Sequence, residues 1–152
     1  MLTTDEVVQL EIFLSARGLY DMDVFSKSDP YVKVYFKRSN TNQWGLLGRT
    51  ETIDNNLNPN FQKSFVVDYI FEAKQELKFE VFDEDDKNNA NNDDFIGRIE
   101  TTLGACAGAR DQTLILNLQN SAKKNKVGKL IIRVEPANTS NGTFPSKQNT
   151  CA

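Results

Sequence analysis

Apolar residues recur at every second position along most of this chain, and that period of two decides what it can fold into. In VVQLEIFLSARGL, Leu10, Ile12 and Leu14 fall on one side while Gln9, Glu11 and Ser15 fall on the other. The apolar set is Val32, Val34 and Phe36 in YVKVYFK, Leu77, Phe79 and Val81 in ELKFEVFD, and Leu130, Ile132 and Val134 in GKLIIRVE. Weaker runs occur in LLGRTETI, SFVVDYI, FIGRIETTL and TLILNL. About eight strands result, separated by Gly, Asn, Asp and Pro clusters. Strands with one apolar face bury it by forming two antiparallel sheets packed face to face, so the expected class is an all-β sandwich. Helix is scarce: IFEAKQEL reads as a loop leading into the next strand, and Cys106 sits in a loop of small residues. Residues 1–136 are expected to form one domain. From Pro136 onward the chain turns polar and loses its periodicity, so residues 137–152 read as a disordered tail or the start of a linker.

At 152 residues the chain suffices for one domain with a real core. A net charge of −3 excludes a globally basic nucleic-acid binder. The sequence contains no histidine, which removes Ser-His-Asp and Cys-His nucleophile pairs and the commonest zinc ligand. Nothing near Cys106 would activate its thiol. No catalytic residues emerge, and an enzyme is not expected. No apolar run reaches the ~18 residues that span a bilayer, and MLTTDEVVQL lacks a signal-peptide pattern. Cys106 and Cys151 lie far apart, so a disulfide framework is not expected and a cytoplasmic location is the default.

Two acidic clusters fall at strand ends. YDMDVFSKSDPYVKV places Asp21, Asp23 and Asp29 between the first two strands, and VFDEDDKNNANNDDFIG places Asp83, Asp85, Asp93 and Asp94 between the fifth and sixth. In a sandwich of consecutive antiparallel strands, odd-to-even loops open at one end, so the clusters are expected to meet. NNLNPNF has turn chemistry that can approach the same end. Carboxylates gathered there offer oxygen ligands alone, which suits a hard, flexibly coordinated cation, above all calcium. Residues two apart in an extended segment point the same way, so Asp83 and Asp85 can face one ion. An EF-hand loop counted from Asp83 fails at Lys87 and at Asn88, where the turn needs glycine, and LKFEVF alternates as a strand where a helix should be.

SKSDPYVKVYF, GRTETIDNNLNPNFQKSFVVDYIF and LKFEVFDEDD followed by DDFIG together resemble a C2 domain, most of all the first C2 domain of a copine, over about Val7 to Glu135. The resemblance implies an eight-stranded Greek-key sandwich of type II topology, because one strand precedes the first acidic loop. It implies apical loops that bind Ca2+ and then anionic phospholipid. By motif, Asp23 and Asp29 match the first-loop ligands, and Asp83, Asp85 and Asp94 match those of the third loop. Asn56 matches a second-loop ligand used by some members, and the backbone carbonyls of Met22 and Glu84 are further candidates. The stretch KNNANND lengthens the third loop, so Asp93 is an alternative to Asp94 as its closing ligand.

The implied function is calcium-dependent attachment to an anionic membrane surface, by a monomer that moves from cytoplasm to membrane as calcium rises. Met22, Val24 and Phe25 in the first loop offer apolar contact, with Phe25 either entering the membrane interface or packing back on its loop. Lys33, Lys37 and Arg38, with Arg49, form either a basic lipid-facing patch or a plain solvated face. A C2 scaffold that binds protein partners without metal is the alternative.

Overall fold

The computed structural model describes residues 7–21, 27–37, 41–85, 88–123 and 126–137. The strands are β1 (Val7–Arg17), β2 (Pro30–Lys37), β3 (Trp44–Arg49), β4 (Phe65–Ile70), β5 (Glu76–Asp83), β6 (Asp94–Thr102), β7 (Thr113–Asn117) and β8 (Lys129–Pro136). They form two four-stranded sheets in the orders β4-β1-β8-β7 and β3-β2-β5-β6, with every neighbouring pair antiparallel. This is the eight-stranded sandwich that the alternation predicts, with one strand ahead of the first acidic loop.

The core lies between the sheets and follows the period of two. Leu10, Ile12, Leu14, Val32, Val34, Leu77, Phe79, Val81, Leu130, Ile132 and Val134 are all buried. Each alternates with a residue on the outer face, as a pleated strand requires. Phe36 is half-buried and packs against this core.

One helix was not expected. Leu103–Ala107 forms a five-residue α1, and the hydroxyl of Thr102 caps it by accepting the N–H of Ala105 at 3.0 Å. Cys106 therefore sits on a helix and not in a loop. The helix docks Leu103 and Cys106 into the core, and burial pushes the Cys106 thiol up to about 11, away from nucleophilic use. The β3 run also begins earlier than LLGRTETI suggests. Past Arg49 the chain still tracks β2: the Thr50 N–H donates to the Val32 carbonyl, and the buried Thr50 hydroxyl accepts the Val32 N–H at 2.9 Å.

The odd-to-even connections gather, in their described residues, at one end. These are residues 18–29 (first loop), 50–64 (second loop), 84–93 (third loop) and 118–128. The first three are laced together by backbone hydrogen bonds from Asn56 to the carbonyl of Ser28 and from Glu84 to that of Asp29. Ala137 ends the described chain at the opposite end, its N–H bonded to the carbonyl of Gln9.

Candidate metal centre

Register brings the acids together. Asp83 is the last residue of β5, and a bulge between Val81 and Phe82 sets it directly opposite Asp94, the first residue of β6. Like charges facing each other across a ladder are destabilising, so this pairing favours a cation between them. Asp85 lies two residues beyond Asp83. One carboxylate oxygen from each of Asp83, Asp85 and Asp94 lies within 4.8 Å of the others. Asp83 is buried, Asp94 half-buried and Asp85 exposed, so the group opens outward from a low-dielectric base. The donors are all carboxylate oxygens, which fits a calcium-like cation and gives no basis for a soft metal.

The first and second loops reach the same place. The Asp29 N–H donates to Asp83 Oδ1 at 2.8 Å, and Asp29 Oδ1 accepts the N–H of Asn55 at 2.7 Å. Residues 54 positions apart thus share one rim. Asn56 Oδ1 accepts the N–H of Asn58 at 2.8 Å, shaping the turn that leads into Pro59. Asp23, with Met22, Val24 and Phe25, lies outside the described residues.

The long third loop closes through its own turns. Asn89 Oδ1 accepts the N–H of Asn91, and its carbonyl accepts that of Asn92, so a short 3₁₀ turn takes up the extra residues. Asp93 then works as a brace. Its Oδ2 accepts the Tyr31 hydroxyl at 2.5 Å, and its Oδ1 accepts the N–H of Asp85 at 3.0 Å. Asp94, the next residue, is the one whose carboxylate joins Asp83 and Asp85. Burial, then the bond to Asp93, pushes the Tyr31 phenol upward, so it stays a proton donor across the physiological range.

Sequence reasoning missed Tyr31. It lies on the outer face of β2, with the Arg49 guanidinium carbon 3.5 Å from its ring centroid and Phe82 stacked at 5.6 Å. Arg49 also approaches Glu84 at 3.8 Å and donates to Thr52 Oγ1 at 2.7 Å, tying the second and third loops. The only sequence signal was the tyrosine of SDPY, whose partner lies 62 residues away.

Lys33 and Lys37 share this outer face. Lys33 rests over Phe82 at 5.0 Å and faces Arg49 across the ladder. Lys37 lies 3.6 Å from Glu76 and 4.9 Å from the Trp44 ring centroid. Lys78 and Glu80 add a pair at 3.9 Å, so cations and carboxylates alternate here. Arg38 lies outside the described residues.

The family model for the C2 domain matches residues 8–118. The chain belongs to the C2 domain family. This C2 domain is 38 % identical to Copine-A of Dictyostelium discoideum over 131 residues, covering 86 % of the chain and 21 % of that protein. It is 35 % identical to Nicotinic receptor-associated protein 1 of Caenorhabditis briggsae over 160 residues, covering 88 % of the chain and 25 % of that protein. The chain therefore spans about a fifth to a quarter of these relatives. Among solved structures, the calcium-bound pair of C2 domains from Extended-Synaptotagmin 2 matches at 26 % identity with a TM-score of 0.61, over 85 % of this chain and 45 % of that one. A single C2 domain of plant Extended Synaptotagmin 1 matches in fold at 19 % identity with a TM-score of 0.63, covering 87 % and 97 %.

Proposed function

We propose that this C2 domain is a calcium-operated binding module for anionic phospholipid surfaces and not an enzyme. The observation that carries the proposal is the convergence of Asp83, Asp85 and Asp94 beside Asp29 at the loop end of the sandwich. Asp29, Asp83, Asp85 and Asp94, with Asp23 from the first loop, would supply the side-chain oxygens. The carbonyls of Met22 and Glu84 and the Asn56 side chain would supply others. Bound calcium would contribute positive charge at the rim and open coordination for a phosphate or carboxylate oxygen of a headgroup. The chain's own part is electrostatic and geometric. Without metal, the gathered carboxylates repel anionic headgroups. The rigid base formed by β5 and β6 keeps them close enough to share a cation, and the lacing among the loops limits how far they can spread. Metal and membrane binding then reinforce each other through linkage.

Phe25 and Val24 are proposed as apolar contacts with the bilayer, and Lys33, Lys37 and Arg38 as basic ones. Residues 1–136 are proposed as the folded unit, with 137–152 as tail or linker. Among the described residues no helix is long and apolar enough to cross a membrane. Peripheral recruitment from the cytoplasm as calcium rises is the proposed mode. A second reading, a metal-independent scaffold for protein partners, takes support from exposed Leu46 and Phe71 and from the name of the nematode relative.

Vesicle co-sedimentation decides between them. The domain should pellet with phosphatidylserine vesicles in calcium and stay in solution in chelator, and Asp83→Asn with Asp85→Asn should remove the calcium-dependent fraction. Pelleting that ignores chelator would refute the mechanism.

A further inference from the structure

A second, oppositely charged feature sits at the same end of the sandwich, on the other sheet. Arg17 ends β1, Lys129 begins β8 and Asn117 ends β7, and the ladders pair Arg17 with Lys129 and Lys129 with Asn117. The inward residues of β1 run Leu10, Ile12, Leu14 and Ala16, so Arg17 and its ladder partner Lys129 stand on the outer face. Two cations directly opposite each other across an antiparallel pair repel, and a third, Lys126, sits just ahead of them in the connection to β8. These residues, with Gly18 and Gly128, line a cavity of about 290 Å³. Gly18 and Gly128 both have positive φ, 64° and 123°, and leave part of the cavity wall without side chains.

The lining carries three cations and no carboxylate. Lys37, Arg49, Lys78, Arg98 and Arg133 each lie against a glutamate. Among the described residues Arg17, Lys126 and Lys129 have no carboxylate in ion-pair reach, and none lines the cavity. The guanidinium of Arg17 is held in place by the carbonyl of Ala16 at 2.6 Å and by Asn60 Oδ1 at 2.8 Å. It supplies a fixed positive charge, while the ammonium groups of Lys126 and Lys129 remain available as donors. The connection that carries Lys126 is anchored to the first loop by the bond from the Tyr20 N–H to the carbonyl of Val127 at 3.0 Å.

We propose that Arg17, Lys126 and Lys129 form an anion pocket for a phosphomonoester, separate from the acidic rim and independent of metal. The clustering of like charges without a counter-ion among the described residues creates an attractive potential for a compact, doubly charged group. The position beside the loops means that a surface met by the acidic rim is within reach of this pocket too.

The test separates free phosphate from a lipid headgroup and is run in chelator, so that it stands apart from calcium binding. Inorganic phosphate titrated into the labelled domain should shift the amide signals of Gly18, Asn117, Gly128 and Lys129. Lys126→Gln with Lys129→Gln should abolish those shifts while a separate calcium titration of the Asp loops is retained. Such shifts show that free phosphate suffices. If only vesicles carrying phosphatidic acid bind, above phosphatidylserine vesicles of equal charge, and the double variant binds them on the order of tenfold more weakly, the ligand is the lipid phosphomonoester. Shifts centred on Lys33 and Lys37, or no response in either arm, overturn the proposal.

Discussion

The Tyr31 hydroxyl donates a 2.5 Å hydrogen bond to Asp93 Oδ2, joining the outer face of β2 to the far side of the loop that carries the acids. Asp93 passes that constraint on through its other oxygen, which accepts the N–H of Asp85. A strand residue with its ring wedged beside Arg49 and Phe82 thereby fixes the backbone of a residue in the candidate metal group. This arrangement holds a donor set in place before any ion arrives, which lowers the ordering cost of binding.

Tyr31→Phe keeps the ring and removes the donor. Loss of one hydrogen bond to a charged acceptor is worth roughly 1.5 kcal/mol, so calcium affinity should fall about tenfold with the fold retained. Calorimetric titration alongside circular dichroism checks this. Unchanged affinity would mean that the third loop is held by other contacts.

On the proposed calcium binding, metal removal should have a thermal signature. Free calcium at about a hundredfold over its dissociation constant should stabilise the domain by ~2.7 kcal/mol, a rise in melting temperature of roughly 10 °C. Asp83→Asn with Asp85→Asn should erase that increment and melt at or above the parent in chelator, because repulsion between facing carboxylates is relieved. Scanning calorimetry with and without chelator reads both.

Glu51 gives a pH dependence. Burial alone would raise its pKa, but backbone N–H groups of Gln62, Lys63 and Glu51 itself bond the carboxylate and leave it below the ordinary glutamate value. A carboxyl depressed in the folded state stabilises above its unfolded pKa and loses that contribution as pH falls through the folded value. Glu51→Gln should therefore cost about 1 kcal/mol or less near pH 7, and the deficit should vanish in acid below the folded pKa. Urea melts at neutral and acidic pH test this.

Gly128 has no room for a side chain. A Cβ there would lie 2.9 Å from Leu19 Cδ2 and 3.0 Å from Leu19 Cα, at a φ of 123° that L residues avoid. Gly128→Ala should destabilise by roughly 1–3 kcal/mol in a denaturant titration.

The strands and their core were legible because every inward residue of β1, β2, β5 and β8 obeys the same period, and that pattern depends only on nearest neighbours. The meeting of the loops was legible from strand parity, and the bond from the Asp29 N–H to Asp83 is where they meet. Helix α1 was not legible: Leu103 followed by four small residues is too short to show a 3.6-residue period, and Thr102 as a cap looks like any strand threonine. Nor was the division of labour between Asp93 and Asp94. It depends on a bulge at Val81 and on a tyrosine 62 positions upstream, and neither leaves a local mark.

Both described termini lie at the foot of β1, where the Ala137 N–H meets the carbonyl of Gln9 and Val7 begins the ladder with Ile70. The eleven residues of β1 separate that point from the loops by roughly 35 Å. Val7 and Ala137 thus stand at the end of the sandwich away from the acidic rim. Fluorescent or affinity labels attached there should leave docking unobstructed.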